Sequence, residues 1–205
     1  IGTPVAGGGA GGDDQGGAAR PVAVLAQAPT SDLGFGDLLA QGETERLVAL
    51  FLGAGGACRA ALVALCQSGT SWIGIANRTD ERSQSLITEF AEQFKGTTLA
   101  SFPLSTALSA ACPEPVDLLL NTSAVGLKGE AFGFPATGCV KPGGSVYDMV
   151  YMAEATPLVR DARQAGLAAA DGLGMLAGQG ELAFGLWFGM APQQDVMRRA
   201  LEWES

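Results

Sequence analysis

At 205 residues, 47% hydrophobic and 16% charged, the chain can build one α/β globular domain with a large interior and part of a second. A formal net charge of −9 sets it against nucleic acid and anionic membranes, and no apolar run reaches the length of a membrane span. There is no histidine, and the four cysteines (Cys58, Cys66, Cys112 and Cys139) form no Cys-x-x-Cys pair, which argues against a metal site and rules out Ser-His-Asp and Cys-His catalysis. Scattered single cysteines without a secretion signal read as reduced thiols of a cytoplasmic protein. Hydride chemistry fits these limits, because a cofactor supplies its reactive group.

Residues 1–41 form a Gly/Ala-rich segment, with GGGAGGDDQGG over 7–17, that has little to bury and much backbone entropy to lose. No strand pattern precedes that glycine run and no helix pattern follows it, so it reads as a linker and not as a phosphate loop. From residue 42 to 205 the pattern becomes regular. LVALFL at 47–52 is a short, wholly apolar run, as expected of a strand buried on both faces. Glycines at 53–56 break it, and 57–67 reads as an apolar helix. A second strand is predicted at 71–76, and a helix over 80–94 with Leu86, Ile87, Phe90 and Phe94 on one face. Further strands are predicted at 97–102, 116–121 and 144–151, then helices at 157–165, 174–188 and 193–202. Strands alternating with helices predict a parallel, doubly wound sheet.

Gly53-Ala54-Gly55-Gly56-Ala57-Cys58 joins the first strand to the first helix and follows G-x-G-x-x-G, with Cys58 in the third slot. Gly53 allows the tight turn, Gly55 lets the backbone approach a pyrophosphate, and the third position needs only a small side chain. The following helix offers free N–H groups and a positive dipole end to phosphates. At the end of the second strand, an NAD site places an acid roughly 20 residues after the glycines to bind the ribose. Here Asn77-Arg78-Thr79 stands there, with Arg82 a turn beyond. Asn77 does not repel a 2′-phosphate, and Arg78 and Arg82 can converge on one, so the expected cofactor is NADP. Arg59 can add positive field beside the pyrophosphate. The competing reading is an ordinary solvated arginine pair beside Asp80 and Glu81.

These two motifs resemble the NADP-binding half of the shikimate dehydrogenases, although other dinucleotide-binding families, including glutamyl-tRNA reductases, share them. Asn121-Thr122-Ser123 with Gly126 is similar to that family's Asn-Ala-Thr loop. Tyr147-Asp148-Met149-Val150-Tyr151, followed by Thr156-Pro157-Leu158, is similar to its fifth-strand motif. Asp171-Gly172-Leu173-Gly174-Met175-Leu176, then Gln179-Gly180, resembles its C-terminal signature. The resemblance implies a Rossmann-type doubly wound parallel sheet with C-terminal helices, and NADP-dependent reduction of 3-dehydroshikimate to shikimate in aromatic amino acid biosynthesis. It implies cofactor contacts from Gly53, Ala54, Gly55, Gly56, Ala57, Asn77, Arg78, Thr79, Arg82, Asn121 and Thr122. Met149, Gly172 and Met175 are implied to line the nicotinamide, and Tyr151 and Gln179 to reach the small-molecule substrate. Read alone, Met149 and Met175 are core residues and Gln179 a surface residue.

The family's catalytic lysine and aspartate come from an N-terminal substrate domain of about a hundred residues. The three lysines here, Lys95, Lys128 and Lys141, all lie within or after the cofactor domain, and none sits in the family's Asn-Val-Thr-x-Pro-x-Lys setting. No Ser-x-Ser segment precedes the glycine turn. Ile1-Gly2-Thr3-Pro4-Val5 and Thr30-Ser31-Asp32-Leu33-Gly34-Phe35 resemble pieces of that domain, so 1–41 reads as its Gly-rich remnant and linker. On that match Asp32 is the catalytic aspartate; read alone it is the N-cap of a helix over 33–41. The start at Ile suggests a truncated chain, through a fragment, a frame error or true loss, and turnover by these residues alone is not expected. The alternatives are a non-catalytic NADP-binding regulatory module and a quinate dehydrogenase; a methyltransferase would want an acid near position 77. A monomer or homodimer is expected.

Overall fold

The computed structural model describes residues 47–105, 112, 114–193 and 196–201. The apolar run after Arg46 becomes β1 (Val48–Leu52), every residue of it buried. Around it stand β2 (Trp72–Asn77), β3 (Thr98–Pro103), β4 (Val116–Asn121), β5 (Val140–Asp148) and β6 (Ala168–Ala170). Their order in the sheet is β3-β2-β1-β4-β5-β6, and every neighbouring pair is parallel. This is the doubly wound order whose direction of winding reverses between β1 and β4, where such sheets bind ligands beyond their carboxyl ends.

Strand alternation divides the interior into two layers. Ala49, Phe51, Ile73, Ile75, Leu118 and Leu120 face α1 (Gly56–Gln67) and α2 (Asp80–Ala91). Val48, Leu50, Leu52, Leu119 and Val146 face α3 (Pro157–Gln164) and a short 3₁₀ turn at Ala136–Cys139. The helices answer with matching spacing. In α1, Cys58, Ala61, Leu62 and Leu65 are buried, and in α2 Ser83, Leu86 and Phe90. Each fully buried Leu or Phe contributes about 1.5–3 kcal/mol relative to exposure.

The predicted α/β class and strand sequence match this architecture, with local differences. The second helix stops at Ala91 and not at 94, yet Phe94 still stacks on Phe90 with ring centroids 6.1 Å apart. β5 begins earlier than 144, because Val140 pairs with Val116 before the register shifts and Ser145 pairs with Leu118. It ends at Asp148 and not at 151, because the Asp148 carboxylate takes the Val150 N–H at 3.0 Å and turns the chain out of the sheet. β6 has no sequence signal: three alanines carry little strand propensity, and pairing with β5 makes them a strand. After it come α4 (Leu173–Phe188), closed by Gly189 in the left-handed region, and α5 (Val196–Leu201). No helix among the described residues is long and apolar enough to cross a membrane.

Candidate functional site

The carboxyl ends of β1 and β4 come together through Gly53. Its φ is +112°, and a Cβ built there would lie 2.9 Å from both Cβ and N of Ser123. Its N–H donates to the Ala76 carbonyl at 2.8 Å, tying the turn to the end of β2. Thr122 holds the turn from the other side: its hydroxyl lies 3.2 Å from the Leu52 carbonyl and 3.1 Å from that of Gly53. Thr122 is therefore buried under the glycine turn, supporting it.

Beyond Gly53 the turn is open. A Cβ on Gly55 or Gly56 would meet nothing within 4 Å, and both residues are exposed. Gly55 caps α1 with φ −99°, a conformation open to any residue, with no side-chain cap and no acid in the first turn. Neither packing nor backbone conformation requires glycine at 55. The arrangement does suit an anion: free helix N–H groups, a positive dipole end, and a bare backbone that a phosphate can approach. Ala54 is half-buried and Ala57 exposed beside it, while Cys58, in the third slot, is fully buried.

At the end of β2, Asn77 Nδ2 donates to the Thr79 carbonyl at 2.7 Å, shaping the turn that presents Arg78. Arg78, Thr79 and Arg82 are all exposed. Asp80, beside them, turns its carboxylate to Ser101 on β3 and to Gln84. Among the described residues neither Arg78 nor Arg82 forms an ion pair, so both charges remain available to a phosphate. Arg59 differs from its sequence reading: it pairs with Glu89 and lies 5.4 Å from the Phe90 ring centroid, bracing α1 against α2.

The third part of the site assembles from the ends of β4, β5 and β6. Gly172 meets the 149–151 segment so closely that a Cβ would collide with the Met149 carbonyl oxygen and lie 3.3 Å from Tyr151 Cδ1. Its N–H donates to the Val150 carbonyl at 3.1 Å. Met149 is buried in the core layer under α1, and Met175 packs against the same layer from the start of α4. Tyr151 is 42% exposed on the adjoining surface. Gln179 is exposed further along α4, with no hydrogen bond among the described residues. Asn121, implied as a cofactor contact, has its side chain engaged within the protein. Its Nδ2 donates to Val125 O and to Asp148 Oδ1, both at 2.8 Å, and its Oδ1 accepts from Ser123 N and Oγ. Its side chain is fully used inside the protein, so it shapes the loop.

Asp148, fully buried, is the residue the sequence reading passed over, although it stands inside a quoted motif. It accepts from Asn121, from the Val150 N–H and from Thr156 Oγ1 at 2.6 Å, while Thr156 also caps α3 through the Val159 N–H. The available signal was an acid ending an apolar strand eight residues before a Thr-Pro helix start. Burial pushes its carboxyl above the usual range against the lowering effect of these bonds, and the charge of Asp171 pushes it further. Asp32 lies outside the described residues. Lys95 and Lys141, at the entries to β3 and β5, stand at the opposite end of the sheet from the glycine turn, and Lys128 is exposed in the loop after β4.

Burial also pushes the Cys58 and Cys139 thiols up to about 12. Both are expected to resist iodoacetamide at pH 8 in the folded protein and to react once it is unfolded in urea, as read by mass spectrometry. Fast labelling of Cys58 in the native protein would show that the glycine turn opens readily.

Residues 172–202 match the family model described as the shikimate 5′-dehydrogenase C-terminal domain. A shikimate dehydrogenase (NADP(+)) of Geobacter sulfurreducens is 43% identical over 152 residues, 74% of this chain and 53% of that protein. Over about three-quarters of its length the chain is similar to shikimate dehydrogenases. It spans about half the length of the curated relatives it matches. The shikimate 5-dehydrogenase of Thermus thermophilus, solved in complex with NADP(H) and shikimate, is 35% identical with a TM-score of 0.64. That match covers 89% of this chain and 60% of the other. A 5-ketofructose reductase of Gluconobacter superposes with a TM-score of 0.66 at 27% identity, covering 80% of this chain and 59% of the other.

Proposed function

We propose that this chain is the NADP-binding half of a cytoplasmic shikimate dehydrogenase, which interconverts 3-dehydroshikimate and shikimate. The observation that carries the cofactor reading is the pairing of an open, uncapped glycine turn with Arg78 at the end of β2 and Arg82 at the start of α2, neither in an ion pair among the described residues. NADPH, when bound, supplies the hydride to the substrate carbonyl. The backbone N–H groups at 55–57 would receive the pyrophosphate, and Arg78 and Arg82 the 2′-phosphate, with Thr79 beside them. Met149, Gly172 and Met175 would wall the nicotinamide, a thioether against the ring, and the half-exposed Tyr151 would meet the substrate. None of the chain's three lysines sits in the family's catalytic setting, and Asp32, outside the described residues, is the proposed catalytic aspartate. Retention of Tyr151 and Gln179 favours the dehydrogenase over a pure cofactor-binding module, which needs neither.

The test is titration of the protein with NADPH and with NADH, repeated on Arg78→Ala. Loss of a charge-assisted contact to phosphate is expected to weaken NADPH binding by about 1.5–3 kcal/mol, or about tenfold to 150-fold, and to leave NADH unchanged. Equal affinity for both cofactors, or no binding of either, would overturn the reading.

A further inference from the structure

Asp148 is fully buried, and its two oxygens join three pieces of chain. Oδ1 holds Asn121 Nδ2 at 2.8 Å and the Val150 N–H at 3.0 Å; Oδ2 holds Thr156 Oγ1 at 2.6 Å. Through Asn121 it fixes the 121–125 loop, whose Ser123 packs on Gly53. Through Val150 it fixes the turn that carries Met149 and Tyr151, onto which Gly172 closes. Met149 N–H in turn donates to the Asn121 carbonyl at 3.0 Å, so β4 and β5 leave the sheet together. The turn that carries Met149 and Tyr151, and the loop after β4 beside it, hang from this carboxylate, while the adenine side, from Asn77 to Arg82, is held by other bonds.

We infer that Asp148 is the positioning residue of the nicotinamide half of the site, acting through Asn121, Val150 and Thr156 without touching the cofactor. The inference rests on the NADP reading above. A carboxylate suits this task better than an amide. It accepts from every direction its neighbours donate, and charge-assisted bonds are shorter and hold geometry more tightly. An amide at 148 can keep all three contacts only by turning its NH2 to Thr156 Oγ1, which must then accept where it now donates, and every bond loses its charge assistance.

The experiment compares NADPH with 2′,5′-ADP, which carries the adenine half and the 2′-phosphate but no nicotinamide. Asp148→Asn is expected to weaken NADPH binding roughly tenfold and to leave 2′,5′-ADP affinity unchanged. The fluorescence enhancement of bound dihydronicotinamide should fall at saturation, because the ring is no longer held in one setting. Thr156→Val, which breaks one arm and leaves the carboxylate, should shift both readouts in the same direction, and Thr156→Ser should restore them; this series also decides the matter if Asp148→Asn does not fold. Parallel weakening of both ligands, or no change in either, would overturn the inference and leave Asp148 a stability residue. If the unsubstituted protein binds 2′,5′-ADP no better than 5′-AMP, the NADP reading itself fails.

Discussion

Gly53→Ala is expected to destabilise the protein by about 2–5 kcal/mol and to abolish measurable NADPH binding. Two costs add. A left-handed φ costs an alanine about 1–2 kcal/mol, and forcing a methyl into a packed contact costs about 1–3 kcal/mol. The φ of +112° and the 2.9 Å approach to Ser123 impose both at once. The obstructing atoms include Ser123 N and Cα, which are backbone and cannot swing aside. Gly55→Ala provides the contrast. Its φ of −99° is ordinary and its surroundings are empty, so stability should change by less than about 0.5 kcal/mol while NADPH affinity still falls. Urea unfolding and NADPH titration of both variants separate the roles: Gly53 shapes the turn, and Gly55 clears the space above it. Similar stability losses in the two variants would refute that division.

What could be read from the sequence follows the range of the interaction involved. β1, α1 and the glycine turn between them were legible because local pattern decides them: a wholly apolar run, a break, then apolar residues at helical spacing. The exposure of Arg78 and Arg82 followed from their place at a strand end. The fate of Arg59 did not, because Glu89 lies 30 residues away and only the packing of α1 on α2 brings them together. The partners of Asn121 were not legible, because they come from its own loop and from Asp148, 27 residues on. Asp148 was passed over because an acid at a strand end most often faces solvent, and nothing local says that three donors will converge on it. β6 is alanine throughout and is a strand only by virtue of its neighbour. α4 shows the opposite effect. Its sequence is apolar all round, as in a buried helix, yet Leu186, Trp187 and Phe188 are exposed at 86%, 78% and 62%. Hydropathy marks such a face as made for contact and does not say what covers it.

The buried bond between Asn121 and Asp148 leads to the other large effect expected, one that changes with pH. Asn121→Asp keeps the size of the side chain but brings a second carboxyl to 2.8 Å from Asp148 Oδ1. Burial already raises the Asp148 carboxyl, with Asp171 adding repulsion, so two full charges cannot coexist there and the folded pair must keep a proton. In the unfolded chain both groups ionise near the ordinary value of about 3.9. Above about pH 5 the folded state therefore binds one proton more than the unfolded state, and stability falls as pH rises, by about 1.4 kcal/mol per pH unit. From pH 5 to pH 7 the variant should lose about 3 kcal/mol relative to the unsubstituted protein, a large share of a typical domain's stability. Asn121→Ala is the control. It removes the same hydrogen bonds without adding charge, so its deficit of about 1–3 kcal/mol should stay level over that range. Urea unfolding of the three proteins at pH 5, 6, 7 and 8 measures the slope directly. A deficit in Asn121→Asp that is as flat as that of Asn121→Ala would mean that water reaches the pair, and that Asp148 is not the dry anchor on which the nicotinamide wall is argued to hang.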